Sequence, residues 1–131
     1  MNDLKYKIDS LENATILVAD DSHMNQTIIE MLFIDSNINI EFADDGLICI
    51  TMFMEKEYDL ILMDIQMPNM GGIEATKVIR KLNRTIPIIG LSAGDDQKVI
   101  ENALHYGMND YMSKPLDVDA SFTILCKALK V

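Results

Sequence analysis

From Ala14 onward, short apolar runs rich in β-branched residues alternate with longer segments of helical spacing, and this alternation restricts the fold more than any other feature of the chain. The runs Thr15 to Ala19, Ile38 to Ala43, Leu60 to Met63, Ile86 to Leu91 and Asp110 to Ser113 read as strands. The third and fourth are almost continuously apolar, which calls for cover on both faces and hence a central place in a parallel sheet. Between the strands, Ser22 can cap a helix whose Met24, Ile28, Met31 and Leu32 form one stripe, and Gly46 precedes a second with Leu47, Ile50 and Met54. A third helix follows Gly71-Gly72 to about Leu82, a fourth spans Asp95 to Tyr106 and stops at Gly107, and a fifth carries Phe122, Leu125 and Leu129. With 131 residues the chain holds one compact domain, and a separate substrate domain does not fit.

Five βα units without an internal repeat predict an α/β, doubly wound, five-stranded parallel sheet of flavodoxin-like order 2-1-3-4-5, with five helices. Residues 1–14 precede the first strand. They read as a linker or N-terminal extension, although Leu4, Ile8 and Leu11 lie at helical spacing. The formal charge of −10, from 11 basic against 21 acidic residues, repels a phosphate backbone and argues against direct nucleic-acid binding. Cys49 and Cys126 lie in apolar helical patterns away from any metal-ligand spacing, so they read as buried thiols in a reducing compartment. No apolar stretch is long enough to span a bilayer and the N-terminus lacks a signal-peptide core, which suggests a cytoplasmic domain without membrane contact of its own.

In a doubly wound sheet, chemistry gathers at the carboxyl ends of the strands. Strand one ends in Asp20-Asp21, strand three in Asp64, strand four in Ser92 and strand five in Ser113-Lys114-Pro115, so three carboxylates, a hydroxyl and an ammonium should converge. Crowded carboxylates repel one another and resist desolvation, a penalty that a hard divalent cation removes. Mg²⁺ suits the position because it takes oxygen ligands and commonly uses one or two protein carboxylates beside phosphate oxygens.

The segments Ile16-Leu17-Val18-Ala19-Asp20-Asp21-Ser22, Leu60 through Gly72 with Met63-Asp64-Ile65-Gln66-Met67-Pro68, Gly90-Leu91-Ser92-Ala93 and Tyr111-Met112-Ser113-Lys114-Pro115 together resemble the receiver domains of two-component response regulators. The likeness covers residues 15–131 and is greatest to receivers of hybrid histidine kinases. It implies that Asp64 accepts a phosphoryl group from a phosphohistidine. It further implies that Asp20, Asp21, Asp64 and the backbone carbonyl of Gln66 hold Mg²⁺, with Mn²⁺ as an alternative, and that Lys114 and Ser92 contact the new phosphoryl group. Ser92 and Tyr111 are implied to pass the change to the face of the fourth helix, fifth strand and fifth helix. A cis peptide before Pro115 belongs to the same pattern. The implied partner is a histidine kinase or a histidine phosphotransfer domain, with a phosphorylation-dependent dimer as a further option. Such a chain is a switch more than an enzyme, with self-catalysed phosphotransfer and autodephosphorylation its only chemistry. The expected location is the cytoplasm, either alone or as a domain of a membrane-anchored sensor kinase.

Rival readings are weaker. An aspartyl-phosphate phosphatase resembles D-x-D at the acceptor, whereas the second position here is Gln66. A flavodoxin needs a loop that welcomes the FMN phosphate after strand one, where Asp20-Asp21 would repel it. A stand-alone single-domain regulator and a non-phosphorylated docking module remain alternatives. Gly71 departs from the family's frequent acidic residue, and Gln66 and Gly94 stand where the family tunes the phosphoryl lifetime. His23 and His105 read as surface residues. The methionines read as core filling, with Met67 and Met70 flanking the acceptor loop as a minor candidate for partner contact.

Overall fold

A computed structural model describes residues 13–83, 85–94 and 96–129. The first twelve residues, and with them most of the expected linker, lie outside the described residues, as does Asp95. Strands β1 (Thr15–Ala19), β2 (Asn39–Ala43), β3 (Leu60–Asp64), β4 (Ile88–Ser92) and β5 (Asp110–Ser113) alternate with helices α1 (His23–Leu32), α2 (Gly46–Glu55), α3 (Gly72–Leu82), α4 (Gln97–His105) and α5 (Val118–Leu129). All pairings are parallel and the strand order is 2-1-3-4-5, as the alternation predicts. β4 begins two residues later than the apolar run suggests: Pro87 has no N–H to enter the ladder, although its carbonyl accepts from Ile61 N–H at 2.9 Å.

Side-chain alternation along the strands divides the core in two. Ile16, Val18, Leu60, Leu62, Ile89, Leu91 and Met112 pack with Ile29, Phe33, Phe122 and Leu125 on the α1/α5 face. Leu17, Ala19, Ile61, Met63 and Ile88 pack with Cys49, Ala75, Ile79 and Ala103 on the face covered by α2, α3 and α4. β1, β3 and β4 are therefore buried on both sides, which matches their unbroken apolar character. Both cysteines are buried; burial pushes the Cys49 thiol up to about 12, so it is inert at neutral pH.

Two helix faces differ from expectation. Met24 and Met31 are 75% and 66% exposed, and the side of α1 that meets the sheet carries Ile29, with Phe33 buried just beyond its end. In α2, Leu47 and Met54 are exposed and Cys49 is buried, while Ile50, Met52 and Phe53 pack partly against the core. α2 is apolar around most of its circumference, and in α1 the apolar stripe is broad enough to admit more than one phase, so periodicity alone does not fix which side meets the sheet. Gly46 is the first residue of α2 and not its predecessor; Asp45 is the cap, accepting from Ile48 N–H at 2.8 Å. Met63 and Met108 fill the core as expected, and Met67 and Met70, half-buried, pack against its edge.

Arg80 ties the far end of α3 to the rest of the domain. Its guanidinium donates to the carbonyls of Gly107 at 2.9 Å, Ile86 at 2.7 Å and Asn83 at 3.3 Å, and to Asn109 Oδ1 at 2.9 Å. Burial lowers its proton affinity, and these four acceptors, three carbonyls and an amide oxygen, are all neutral. Arg80→Met keeps the stem and removes the donors. It is expected to destabilise the fold by about 2 kcal/mol, since it takes the guanidinium's donors away from three backbone carbonyls at once. Urea denaturation checks this; a midpoint equal to that of the unaltered protein would show that water replaces the guanidinium.

Candidate functional site: the acidic cleft at the carboxyl ends of the strands

Each strand end delivers its side chain to one rim because the sheet is parallel and the register is fixed by buried faces. Asp20 follows β1 and has no solvent exposure; Asp64 is the last residue of β3 and is 5% exposed; Ser92 is the last of β4 and is 7% exposed. Asp21 is exposed at the lip. One carboxylate oxygen from each of Asp20, Asp21 and Asp64 lies within 4.8 Å of the other two.

Lys114 follows β5, and the Lys114–Pro115 bond is cis, as the resemblance implies. The lysine Nζ lies 3.0 Å from Asp64 Oδ2 and 3.1 Å from Asp20 Oδ2. Asp64 Oδ1 accepts from Gln66 N–H at 3.2 Å, and Asp20 Oδ1 accepts from Ser22 N–H at 2.9 Å. Asp20 Oδ2 is wholly buried and has no aligned hydrogen bond among the described residues, so its pairing with Lys114 is one of charge at close range. Burial holds the Asp64 carboxyl above its ordinary proton affinity, against the pull of Lys114. Burial likewise works against the charge on Lys114, but the hydrogen bond to Asp64 and the close negative charges of Asp64 and Asp20 outweigh it and its affinity is raised. Lys114 therefore stays charged near neutral pH.

Three carboxylates against one ammonium leave two negative charges uncompensated. Asp20 adds a buried oxygen lacking a hydrogen-bond donor. The donor set is oxygen throughout, and the unbalanced charge equals that of a divalent cation, so the residues fit Mg²⁺.

A cleft of about 280 Å³ opens beside Asp64 and is lined by Gln66, Ser92, Ala93, Gly94 and Val99 among others. The hydroxyl of Ser92 donates to Gly94 O at 2.8 Å, while α4 is capped by Asp96. Ser92 thus closes the turn after β4 and does not cap the next helix. Tyr111 is half-buried on β5, in register with Gly90, and does not line this cleft. The sequence-predicted carboxylates, lysine and serine are thus brought together, and Tyr111 stands one strand away from Ser92's.

His23 is exposed, with Nε2 3.4 Å from Asp44 Oδ1; His105 packs edge-on against Tyr106, with ring centroids 4.9 Å apart. Neither is in the cleft. Three polar residues at this rim escaped the sequence reading. Gln26 Nε2 donates to the Asp20 carbonyl at 2.8 Å, and Asn69 Nδ2 donates to Asp45 Oδ2 at 2.8 Å. The Asp45-Gly46 pair before an apolar helix is a legible cap signal, but its second oxygen is used across a sequence gap that no local pattern reveals.

The profile of the response regulator receiver domain matches residues 16–125. The chain belongs to that family. As a receiver domain of two-component signalling it is 40% identical over 117 residues to the osmosensing histidine protein kinase SLN1 of Saccharomyces cerevisiae, covering 84% of this chain and 10% of SLN1. This receiver thus spans about a tenth of that relative's length. The receiver domain of the sensor histidine kinase PA1611 from Pseudomonas aeruginosa PAO1, solved with a magnesium ion coordinated in its active-site cleft, superposes with a TM-score of 0.84. It is 34% identical, and the match covers 91% of this chain and 99% of that one. The receiver domain of Ssk1, co-crystallised with the histidine phosphotransfer signalling protein Ypd1 of Saccharomyces cerevisiae, gives a TM-score of 0.81 at 27% identity and 88% coverage of both chains. No helix among the described residues is long and apolar enough to cross a membrane.

Proposed function

We propose that this receiver accepts a phosphoryl group on Asp64 from the phosphohistidine of a kinase or a histidine phosphotransfer domain. The observation that carries the reading is the placement of the Lys114 ammonium 3.0 Å from Asp64 Oδ2, beside a cluster of three carboxylates. In the transfer, the bond from phosphorus to the imidazole nitrogen breaks as an Asp64 oxygen bonds to phosphorus, and the released imidazole takes up a proton. Such a transition state is loose and needs alignment and charge neutralisation more than covalent help. Lys114 supplies fixed positive charge. Asp20, Asp21, Asp64 and the Gln66 carbonyl would hold Mg²⁺, which when bound would neutralise charge on the phosphoryl oxygens.

Ser92 then exchanges its bond to Gly94 for one to the phosphoryl group, and Tyr111 follows towards the vacated side, which changes the α4–β5–α5 face. The partner reading is supported by the Ssk1 receiver's complex with a histidine phosphotransfer protein and by the likeness to SLN1. Residues 15–131 form the receiver, preceded by an extension, within a hybrid kinase or phosphorelay. The net charge of −10 speaks against direct contact with nucleic acid.

Incubation with a small-molecule acyl phosphate should give one phosphoryl addition by intact mass in Mg²⁺ and none in chelator or in Asp64→Asn. Asp21→Asn should require about tenfold more Mg²⁺ for the same extent, because it removes one of the carboxylate ligands. Equal phosphorylation with and without Mg²⁺ would rule the reading out.

A further inference from the structure

The carboxylates stand where two loops begin, Asp20 and Asp21 just after β1 and Asp64 at the end of β3, and the turn between β2 and α2 is bonded to both loops. On one side Gln26 Nε2 reaches the Asp20 carbonyl at 2.8 Å and Asp44 Oδ1 at 2.9 Å. On the other, Asn69 Nδ2 donates to Asp45 Oδ2 at 2.8 Å and Gly46 N–H to the Met70 carbonyl at 3.1 Å. Asp45 is only 8% exposed, and its other oxygen is held by Ile48 N–H at 2.8 Å, so it is a fixed anchor on α2. A Cβ on Gly46 would lie 2.5 Å from the Met70 carbonyl oxygen, so the two backbones are in contact. Asn69 itself stands at φ +66, a left-handed conformation most side chains avoid but asparagine tolerates.

We infer that the Asp44-Asp45 turn, acting through Gln26 and Asn69, is a brace that fixes the two carboxylate-bearing loops relative to each other and thereby sets Mg²⁺ affinity. The inference rests on the phosphoacceptor reading above. Asn69 and Asp45 are positioning residues: they act through the backbone of residues 64–70, where Gln66 N–H holds Asp64 Oδ1. A partner of this kind, one step removed from the ligands, commonly changes metal affinity 10- to 100-fold when lost. Asn69 is exposed, so its removal should affect global stability little while displacing the loop.

The test is a Mg²⁺ titration of phosphorylation from an acyl phosphate, with thermal melting of each variant. Asn69→Ala, which loses the donor, and Asn69→Asp, which sets a carboxylate against Asp45, should each raise the half-saturating Mg²⁺ concentration about tenfold. The exchange Asp45→Asn with Asn69→Asp restores donor and acceptor in reversed order and keeps a capping oxygen for Ile48; it should return half-saturation to within about twofold of the unaltered protein. A purely structural role would lower the melting temperature of Asn69→Ala and leave half-saturation unchanged, and that result would overturn the brace, as would failure of the exchanged pair to recover. If the unaltered protein takes no phosphoryl group at any Mg²⁺ concentration, the phosphoacceptor reading itself fails, an outcome distinct from equal titrations.

Discussion

Gly72→Ala is expected to destabilise this receiver by about 3 kcal/mol or more, lowering the melting temperature by about 10 °C. A Cβ at position 72 would lie 2.2 Å from the Asp64 carbonyl oxygen, 2.9 Å from its carbonyl carbon and 2.9 Å from Met63 Cγ. Two of those atoms are backbone at the end of a fully buried strand, so relief requires moving either β3 or the start of α3. Neither is free to move: Gly72 N–H donates to Ile65 O at 3.0 Å and the buried Thr76 hydroxyl to Gly72 O at 2.7 Å. The same displacement would shift Asp64, so Mg²⁺-dependent phosphorylation should fall with stability. Gly71→Ala is the control. Its backbone, at φ −75 and ψ 169, is open to any residue, and its nearest Cβ neighbour is 3.2 Å away. Calorimetric melting of the two variants decides the matter; equal stabilities would show that the loop yields at no cost.

Lys114→Met should act in two separable ways. In chelator, removing the ammonium leaves Asp20 and Asp64 facing each other with no counter-charge, and Asp20 is wholly buried. Breaking a buried pair from one side costs about 3–5 kcal/mol where both charges are sealed from water; with Asp64 and Lys114 less deeply placed, about 2 kcal/mol is expected here. Mg²⁺ should recover most of that loss, because it brings positive charge to the same oxygens. The rate of phosphoryl acceptance in saturating Mg²⁺ should nonetheless fall on the order of 10²-fold, since charge stabilisation at the transferring oxygens is lost. Denaturation with and without Mg²⁺, beside single-turnover phosphorylation, reads both effects. A variant as stable in chelator as the unaltered protein would mean that the carboxylates take up a proton in place of the lysine.

The unbroken apolar run of β3, ending in Asp64, makes that strand and its place at the centre of the sheet legible without coordinates, because only burial on both faces tolerates Leu-Ile-Leu-Met. The site is legible for a related reason: a parallel sheet sends every strand's carboxyl end to one edge, so residues far apart in sequence converge by topology alone. Phase around α1 and α2 is not legible. α2 is apolar on nearly every side, and the apolar residues of α1 run from Met24 and Met31 round to Ile29, so the methionines appear as plausible a core stripe as Ile29 and Phe33, and only the sheet decides between them. The Asp45–Asn69 contact is hidden for another reason: each residue is a turn former with a sufficient local explanation, and the bond between them depends on how two loops meet.

The most direct test of the central claim is to locate the phosphoryl group. After reaction with an acyl phosphate in Mg²⁺, hydride reduction converts an aspartyl phosphate to a stable alcohol at the modified residue, and peptide mass spectrometry then identifies the position. The account predicts a single reduced residue, Asp64, absent when chelator replaces Mg²⁺. Modification at Asp20 or Asp21, a phosphoryl group held on His23 or His105, or none on any residue would contradict it.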